Sequence, residues 1–390
     1  MKRLLAILAT VLAVTSCEST EQLGPQFNRE RAGSPALNVV SYNVYWGAYV
    51  EELMLAEPSE VPIVAAGIWG KVQQTNFNER AVAIVEQVAY ADAHVVGLQE
   101  VALYRFEQVS DYQGGPLPAP DAEDVLLDFL DILVAALEAR GLHYTPAAMS
   151  ENMDIELPMC TDPDPEVCFP LADIRLTDYD VILVRDDVEW DSESAANGNF
   201  LAEMEIDLGG QTIYKPSGWA SVDISFKGNQ YRIMNTHLEP ADVLPGGGVH
   251  PELSFLQAMQ LEELLGVADA SPIPVIMVGD FNSDDDGSTT ATYQSVLDAG
   301  FVDTWLIGRP RGTGYTSNQA PDLMSATSEL FHRIDFIFYR DEVTAGKGKF
   351  RGSVAAEVIG EEQGDRTASG LWPSDHAGVA AILRIAPGAP

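Results

Sequence analysis

This 390-residue sequence predicts an α/β fold. Three observations carry that expectation: apolar, β-rich runs alternate with helical patterns from Ala36 onward, no internal repeat has a solenoid period, and nothing marks a second domain. Residues 37–44 read as the first strand. Residues 78–91 place Ala81, Ile84, Val85 and Val88 on one helical face, and residues 94–101 are again apolar, so a strand–helix–strand unit opens the body. Residues 124–140 read as a second amphipathic helix, stopped by Gly141. Buried strands are expected at 179–185, 231–238 and 273–279, with a helix at 251–269 between the last two. Strands at 333–339 and 378–385 close the chain. Segments 110–120, 241–248 and 308–328 are rich in Gly, Pro and polar residues, which suits long loops around a site.

Ahead of that body, residues 1–16 begin with Lys2 and Arg3, continue as an apolar run over 4–14 and end in small residues, the pattern of an export signal. The run is shorter than the roughly 20 residues that a spanning helix needs. Val14-Thr15-Ser16-Cys17 resembles the cleavage box of bacterial lipoproteins. That resemblance implies a lipid on Cys17, a polar tether over 17–35 and a body over 36–387, anchored to a membrane in the periplasm or at the cell surface. Cys160 and Cys168 then flank a short loop, and an exported chain permits a disulfide between them. A zinc site would need four ligands, and no nearby histidine completes a set.

Composition bounds the partners. A hydrophobic content of 46% supports a substantial core, and a monomer is expected. The 22 Lys+Arg against 59 Asp+Glu give a net charge of -37, which disfavours long DNA or RNA wherever the charge is not locally neutralised. A bound metal ion inverts the local sign, so an acidic protein can still grip one phosphate. Solubility is the simpler meaning of the acidity.

Several polar residues end apolar runs, where side chains on rigid elements can converge. Asn43 ends the run from Asn38, Glu100 the run from His94, and His237 follows Ile233-Met234-Asn235-Thr236. Asp280 and Asn282 follow Pro274-Val275-Ile276-Met277-Val278-Gly279. One such carboxylate alone is usually a helix cap or a solvated loop residue. Their recurrence is what points to a site.

Six segments carry a resemblance: Ser41-Tyr42-Asn43-Val44, Leu98-Gln99-Glu100, Asn235-Thr236-His237-Leu238, Gly279-Asp280-Phe281-Asn282, Arg333-Ile334-Asp335-Phe336-Ile337 and Ser374-Asp375-His376. In type and order they resemble the motifs of the endonuclease/exonuclease/phosphatase family. The resemblance implies a four-layer sandwich, two packed mixed β-sheets flanked by helices, that hydrolyses phosphate esters with a divalent metal. It also implies roles. Glu100 matches the principal metal carboxylate, with Asn43 and Asp375 beside it, and hard oxygen ligands suit Mg²⁺, with Mn²⁺ or Ca²⁺ as alternatives. Asp335 and His376 match an Asp–His pair in which the carboxylate orients the imidazole. Asp280 and Asn282 match the pair near the attacking water and the phosphate oxygens. His237, in its Thr-His-Leu setting, resembles the deoxyribonuclease, sphingomyelinase and phosphatase branches, and the same likeness offers Glu151 as its orienting carboxylate.

Other features compete for attention. Arg175 and Arg185, flanking Asp180, are candidates to clamp phosphate or equally to form ordinary ion pairs. Asp280 to Gly287 begins like an EF-hand loop, but Asp285 stands where Gly is required and Ala291 where Glu is required. His94 is expected to be a satisfied core or surface histidine, and His332 beside Arg333 could approach the cleft. Trp69, Trp219 and Trp305 could meet a lipid, though burial is the commoner fate of tryptophan. The expected function is Mg²⁺-dependent hydrolysis of a phosphate ester, whether DNA, phospholipid or a small phosphoester. The alternative is a lipoprotein that keeps the fold, binds and has lost turnover.

Overall fold

The computed structural model describes residues 36–162, 168–208, 211–242 and 248–386; the expected export signal, Cys17 and the expected tether lie outside them. In chain order the strands are β1 (Leu37–Asn43), β2 (Val95–Glu107), β3 (Asp124–Asp128), β4 (Tyr144–Cys160), β5 (Leu171–Arg185), β6 (Glu189–Asn199), β7 (Met204–Leu208), β8 (Gln211–Lys215), β9 (Gly218–Phe226), β10 (Asn229–His237), β11 (Val275–Asp280), β12 (Val302–Asp303), β13 (Asp335–Arg340), β14 (Gly352–Ile359) and β15 (Gly378–Ile385). The main helices are α1 (Val61–Gln74), α2 (Phe77–Tyr90), α3 (Phe129–Ala139) and α4 (Pro251–Asp269). One mixed sheet runs β14-β15-β1-β2-β5-β4, with β3 added beside β2; the other runs β12-β13-β11-β10-β9-β6. β7 and β8 pair only with each other.

Strand β1 shows why the layers stack. Its seven residues are all buried, because Val39 points into the core between the sheets and Val40 into the core beneath the helices α1 to α3. A strand covered on both faces reads as a continuous apolar run. The inter-sheet core includes Val95, Ile182, Val222, Ile276 and Ile337; a third core packs α4 against the far face of the second sheet through Leu261, Leu264 and Met277. The order is helix, sheet, sheet, helix, as expected.

The helix at 251–269 is observed over those residues, and 78–91 becomes Phe77–Tyr90 with Ala81, Ile84, Val85 and Val88 buried. The helix expected over 124–140 is shorter. Residues 124–128 instead form β3 against the edge of β2, and Asp128 caps α3 by accepting from the Asp131 N–H at 3.0 Å. Acidic residues ahead of an apolar helix look like its first turn, and only the free edge of β2 converts them to strand. Glu100 does not end its strand either. β2 continues to Glu107 through a register shift between Leu98 and Val101. Ser150-Glu151-Asn152 lies within the 17-residue β4. Cys160 and Cys168 are joined, with Cα atoms 4.9 Å apart. Among the described residues no helix is long and apolar enough to cross a membrane.

Candidate active site

The parallel pairs β1–β2 and β10–β11 bring four site residues to one end of the sandwich. Asn43 ends β1, His237 ends β10, Asp280 ends β11, and Glu100 sits at the β2 bulge with a positive φ of 60°. A bulge bends its strand and re-aims one side chain, and here it turns Glu100 into the cleft. Antiparallel partners supply the rest. Asp335 opens β13 directly opposite Asp280, and Asp375 and His376 immediately precede β15. The long loop over 308–328 contributes Ser317 and Asn318, held by bridges from Ser317 to His332 and His376.

These side chains form two hydrogen-bonded groups that face each other across a cleft of about 380 Å³. Asn43 Nδ2 donates to Glu100 Oε1 at 2.9 Å and to Asp280 Oδ2 at 3.2 Å, while its Oδ1 accepts from the Tyr45 N–H at 3.0 Å. The Trp46 N–H donates to Glu100 Oε2 at 2.9 Å. The N–H of Asn282 donates to Asp280 Oδ1 at 2.9 Å. Asn282 Nδ2 donates to the Leu238 carbonyl at 2.8 Å and lies 3.0 Å from His237 Nε2. That carbonyl fixes the amide's orientation, so His237 Nε2 is the acceptor and its ring is neutral. Across the cleft His376 Nδ1 lies 2.9 Å from Asp335 Oδ2, its Nε2 3.3 Å from Ser317 Oγ, and Asp280 Oδ2 is 3.7 Å from both rings.

The two histidines are driven in opposite directions. Burial, then the Lys215 ammonium, holds His237 well below the usual imidazole range. Burial also disfavours the His376 cation, but Asp335 first and then Asp375 outweigh it and raise that group well above the usual range. Burial raises Glu100, Asp280 and Asp375, with Asp375 adding to Glu100 and Asp335 to Asp280.

A divalent cation fits this donor set. Glu100, Asp280, Asp335 and Asp375 crowd one cleft whose single lysine or arginine, among the described residues, is Lys215. Asp335 Oδ1 is buried with no hydrogen-bond partner. Ligating atoms of Asp280, Asp335 and His376 lie within 4.8 Å of one another. His376 and Asp335 are already engaged with each other, so Glu100 and Asp375 are the carboxylates that could serve an ion through their remaining lone pairs, with the Asn43 oxygen, which accepts the Tyr45 N–H, beside them.

Three of the candidates leave the site. Arg175 forks onto Asp154 at 2.8 and 2.5 Å, and Arg185 reaches Asp92 at 2.6 Å and Asp187 at 2.7 Å, so both are structural ion pairs. Glu151 is exposed beside the Tyr179 hydroxyl at 3.4 Å; Asn282, not Glu151, is bonded to His237. His332 does line the cleft, beside Asp284. Lys215 and Arg80 escaped the sequence reading. Lys215 pairs with Glu239 at 2.7 and 2.8 Å beside His237. Arg80, fully buried, donates to the carbonyls of Val44 and Pro373 at 2.6 and 3.1 Å and of Tyr45 and Thr75 at 3.0 and 2.8 Å. It thereby ties the segment after Asn43 to the segment before Asp375. A lone arginine within an amphipathic helix carries no sequence signal for such a role.

A two-sheet sandwich with carboxylates and an Asp–His pair converging at one end defines a phosphoester-hydrolase type of site. The family model of the endonuclease/exonuclease/phosphatase family matches residues 40–376, and the chain belongs to that family. Solved structures are similar to this chain at low identity. A family member from Bacteroides thetaiotaomicron is 15% identical with a TM-score of 0.49, covering 91% of this chain and 99% of its own. The mannosyl-6-phosphatase of the same organism is 17% identical with a TM-score of 0.47, covering 89% and 99%. D. rerio TDP2 complexed with a single-strand DNA product is 19% identical with a TM-score of 0.48, covering 89% and 98%. No curated protein matches the chain.

Proposed function

We propose that this protein is a Mg²⁺-dependent hydrolase of phosphate esters, exported and anchored through a lipid on Cys17. The observation that carries the catalytic reading is the hydrogen-bonded chain from Glu100 through Asn43 to Asp280, facing the Asp335–His376 pair across one cleft. Glu100, Asp375 and Asn43 would hold the ion. Bound there, it supplies neutralisation of the phosphate oxygens. Asp335 keeps His376 Nδ1 engaged and turns Nε2 toward the cleft, where it donates to a phosphate oxygen. Asp280 accepts a proton from the attacking water, and Asn282 holds both Asp280 and the neutral His237 in place.

The test is hydrolysis of p-nitrophenyl phosphate and bis-p-nitrophenyl phosphate with Mg²⁺ by wild type, Glu100→Ala and His376→Ala. Each substitution is expected to lower kcat/KM by roughly 10²- to 10⁴-fold. Equal rates in the three proteins would refute the site assignment, and no turnover on any ester would favour a binding lipoprotein. A Cys17→Ala protein is expected to lose membrane partitioning.

A further inference from the structure

Next to the catalytic cleft lies a second, apolar cavity of about 80 Å³, against the roughly 10–15 Å³ that one water requires. The two are contiguous. The segment from Tyr45 to Tyr49 lines the cleft and its continuation through Val50, Leu53 and Met54 lines the cavity, while Lys215 and Pro240 wall both. Of the described side chains lining the cavity only Lys215 and Glu239 are charged, and they neutralise each other at the cleft side, where Ser217 Oγ also donates to Glu239 at 2.5 Å. The Tyr104 hydroxyl is spent on the Trp46 carbonyl at 3.0 Å. The cavity therefore presents carbon and sulfur to whatever enters.

Its cover is unusual. The β7–β8 hairpin pairs with neither large sheet, and its buried residues Met204, Ile206 and Leu208, alternating with exposed Glu205 and Asp207, face the cavity. An unfilled apolar void lowers stability, since its lining forfeits contacts. Met54, Met153 and Met204, whose unbranched thioethers reshape at little cost, stand on several of its sides. Trp69 lines it too.

We propose that this cavity receives the apolar group, an alkyl chain or a ring, of an amphiphilic phosphoester whose phosphate lies between Glu100 and His376. The proposal rests on the phosphoesterase reading above and narrows its substrate class. A headgroup of one phosphate matches the cleft, and the neutral, carbon-lined space beyond Trp46 and Lys215 matches a tail; a nucleic-acid strand offers several phosphates and no such tail.

The experiment uses the full chain with Mg²⁺ and soluble n-alkyl phosphates from methyl to hexyl, with phenyl phosphate to separate ring from chain, titrated by calorimetry. Each methylene buried is expected to tighten Kd by roughly fourfold at most, giving at most about 1,000-fold from methyl to hexyl with a growing negative heat-capacity change. Ala65→Phe, which fills the cavity from α1, is expected to flatten the series while leaving the Kd of methyl phosphate, too short to reach the cavity, unchanged. Should that variant fail to fold, Met153→Ala decides, by shifting the preference to octyl phosphate. A Kd independent of chain length in wild type overturns the subsite even where hydrolysis is intact. Chain-length dependence without hydrolysis of any ester leaves the subsite standing and overturns the phosphoesterase reading instead.

Discussion

Buried polar side chains in this protein succeed or fail by how many of their atoms find partners, and Arg80 and His94 are the sharpest cases. Arg80 places its guanidinium against four backbone carbonyls, and burial pulls its pKa down to about 10. A lysine is a point charge with three donors and cannot reproduce that fork. Arg80→Lys is expected to lose about 3 kcal/mol or more of stability in urea unfolding, and to lower activity because the segments bearing Asn43 and Asp375 separate. His94 accepts the Asn38 N–H at Nδ1 (3.0 Å) and packs edge-on against Phe226, as a core histidine should. Burial, then Arg185, lowers its pKa to about 4 from an ordinary 6.5. The neutral form is the stabilised one. Its contribution is complete above pH 6.5 and is lost as pH falls through 4, so the stability gap between wild type and His94→Gln should shrink by at most about 3 kcal/mol over that window. A gap that stays constant would show that His94 titrates normally. Asn43, Glu100, His237, Asp280 and Asn282 were legible because they end or follow apolar runs, and Asp335, Asp375 and His376 through the order of the motifs; Arg80, Lys215 and Ser317 were not, because their work is defined by partners distant in the chain, such as Pro373, 293 positions from Arg80, Glu239, 24 from Lys215, and His376, 59 from Ser317.

At the scale of elements, Glu100 owes its position to a bulge, and the bulge is held by the contact between the two sheets. Gln99 Nε2 donates to Asn235 Oδ1 at 2.6 Å, and Asn235 Nδ2 donates to the carbonyls of Leu98 and Val181 at 2.8 and 3.1 Å. Gly97 permits that approach, since a Cβ there would stand 2.3 Å from Val278 Cγ2. Gly97→Ala is expected to cost about 1–3 kcal/mol, read as a lowered Tm, and to reduce activity by displacing Glu100. Full activity in a stable Gly97→Ala protein would refute this coupling. Strand β4 failed to announce itself in the sequence for a related reason. Its buried Ser150, Asn152 and Glu156 break the alternation, and Asn152 is satisfied by donating to Asp178 of β5 at 3.1 Å and accepting from Ser150 Oγ at 3.2 Å. Helix α4 was legible to the residue, with Pro251 at its first position and the apolar run to its end.

For the whole molecule the dominant quantity is the net charge of -37 set against a cleft lined by one lysine. A polyanion approaching this protein meets repulsion that salt screens. Cleavage of an oligonucleotide, if measured, should therefore speed up between about 20 and about 200 mM NaCl, while p-nitrophenyl phosphate changes less than about twofold. A rate on DNA that falls with salt would instead indicate a basic groove. The order of the motifs, the alternation of strand and helix, the acidity and the pairing of Cys160 with Cys168 were determined by sequence alone, because each is written in neighbouring residues or in sums over the chain. Which oxygens meet in the cleft was decided only by tertiary structure. Two parallel strand pairs and a bulge carry Asn43, Glu100, His237 and Asp280 to one end, and the antiparallel partners bring Asp335 and His376 against them. The same packing removed Arg175, Arg185 and Glu151 from the site and opened an apolar cavity beside it, since burial and partnership are properties of the surroundings and not of a residue's own type.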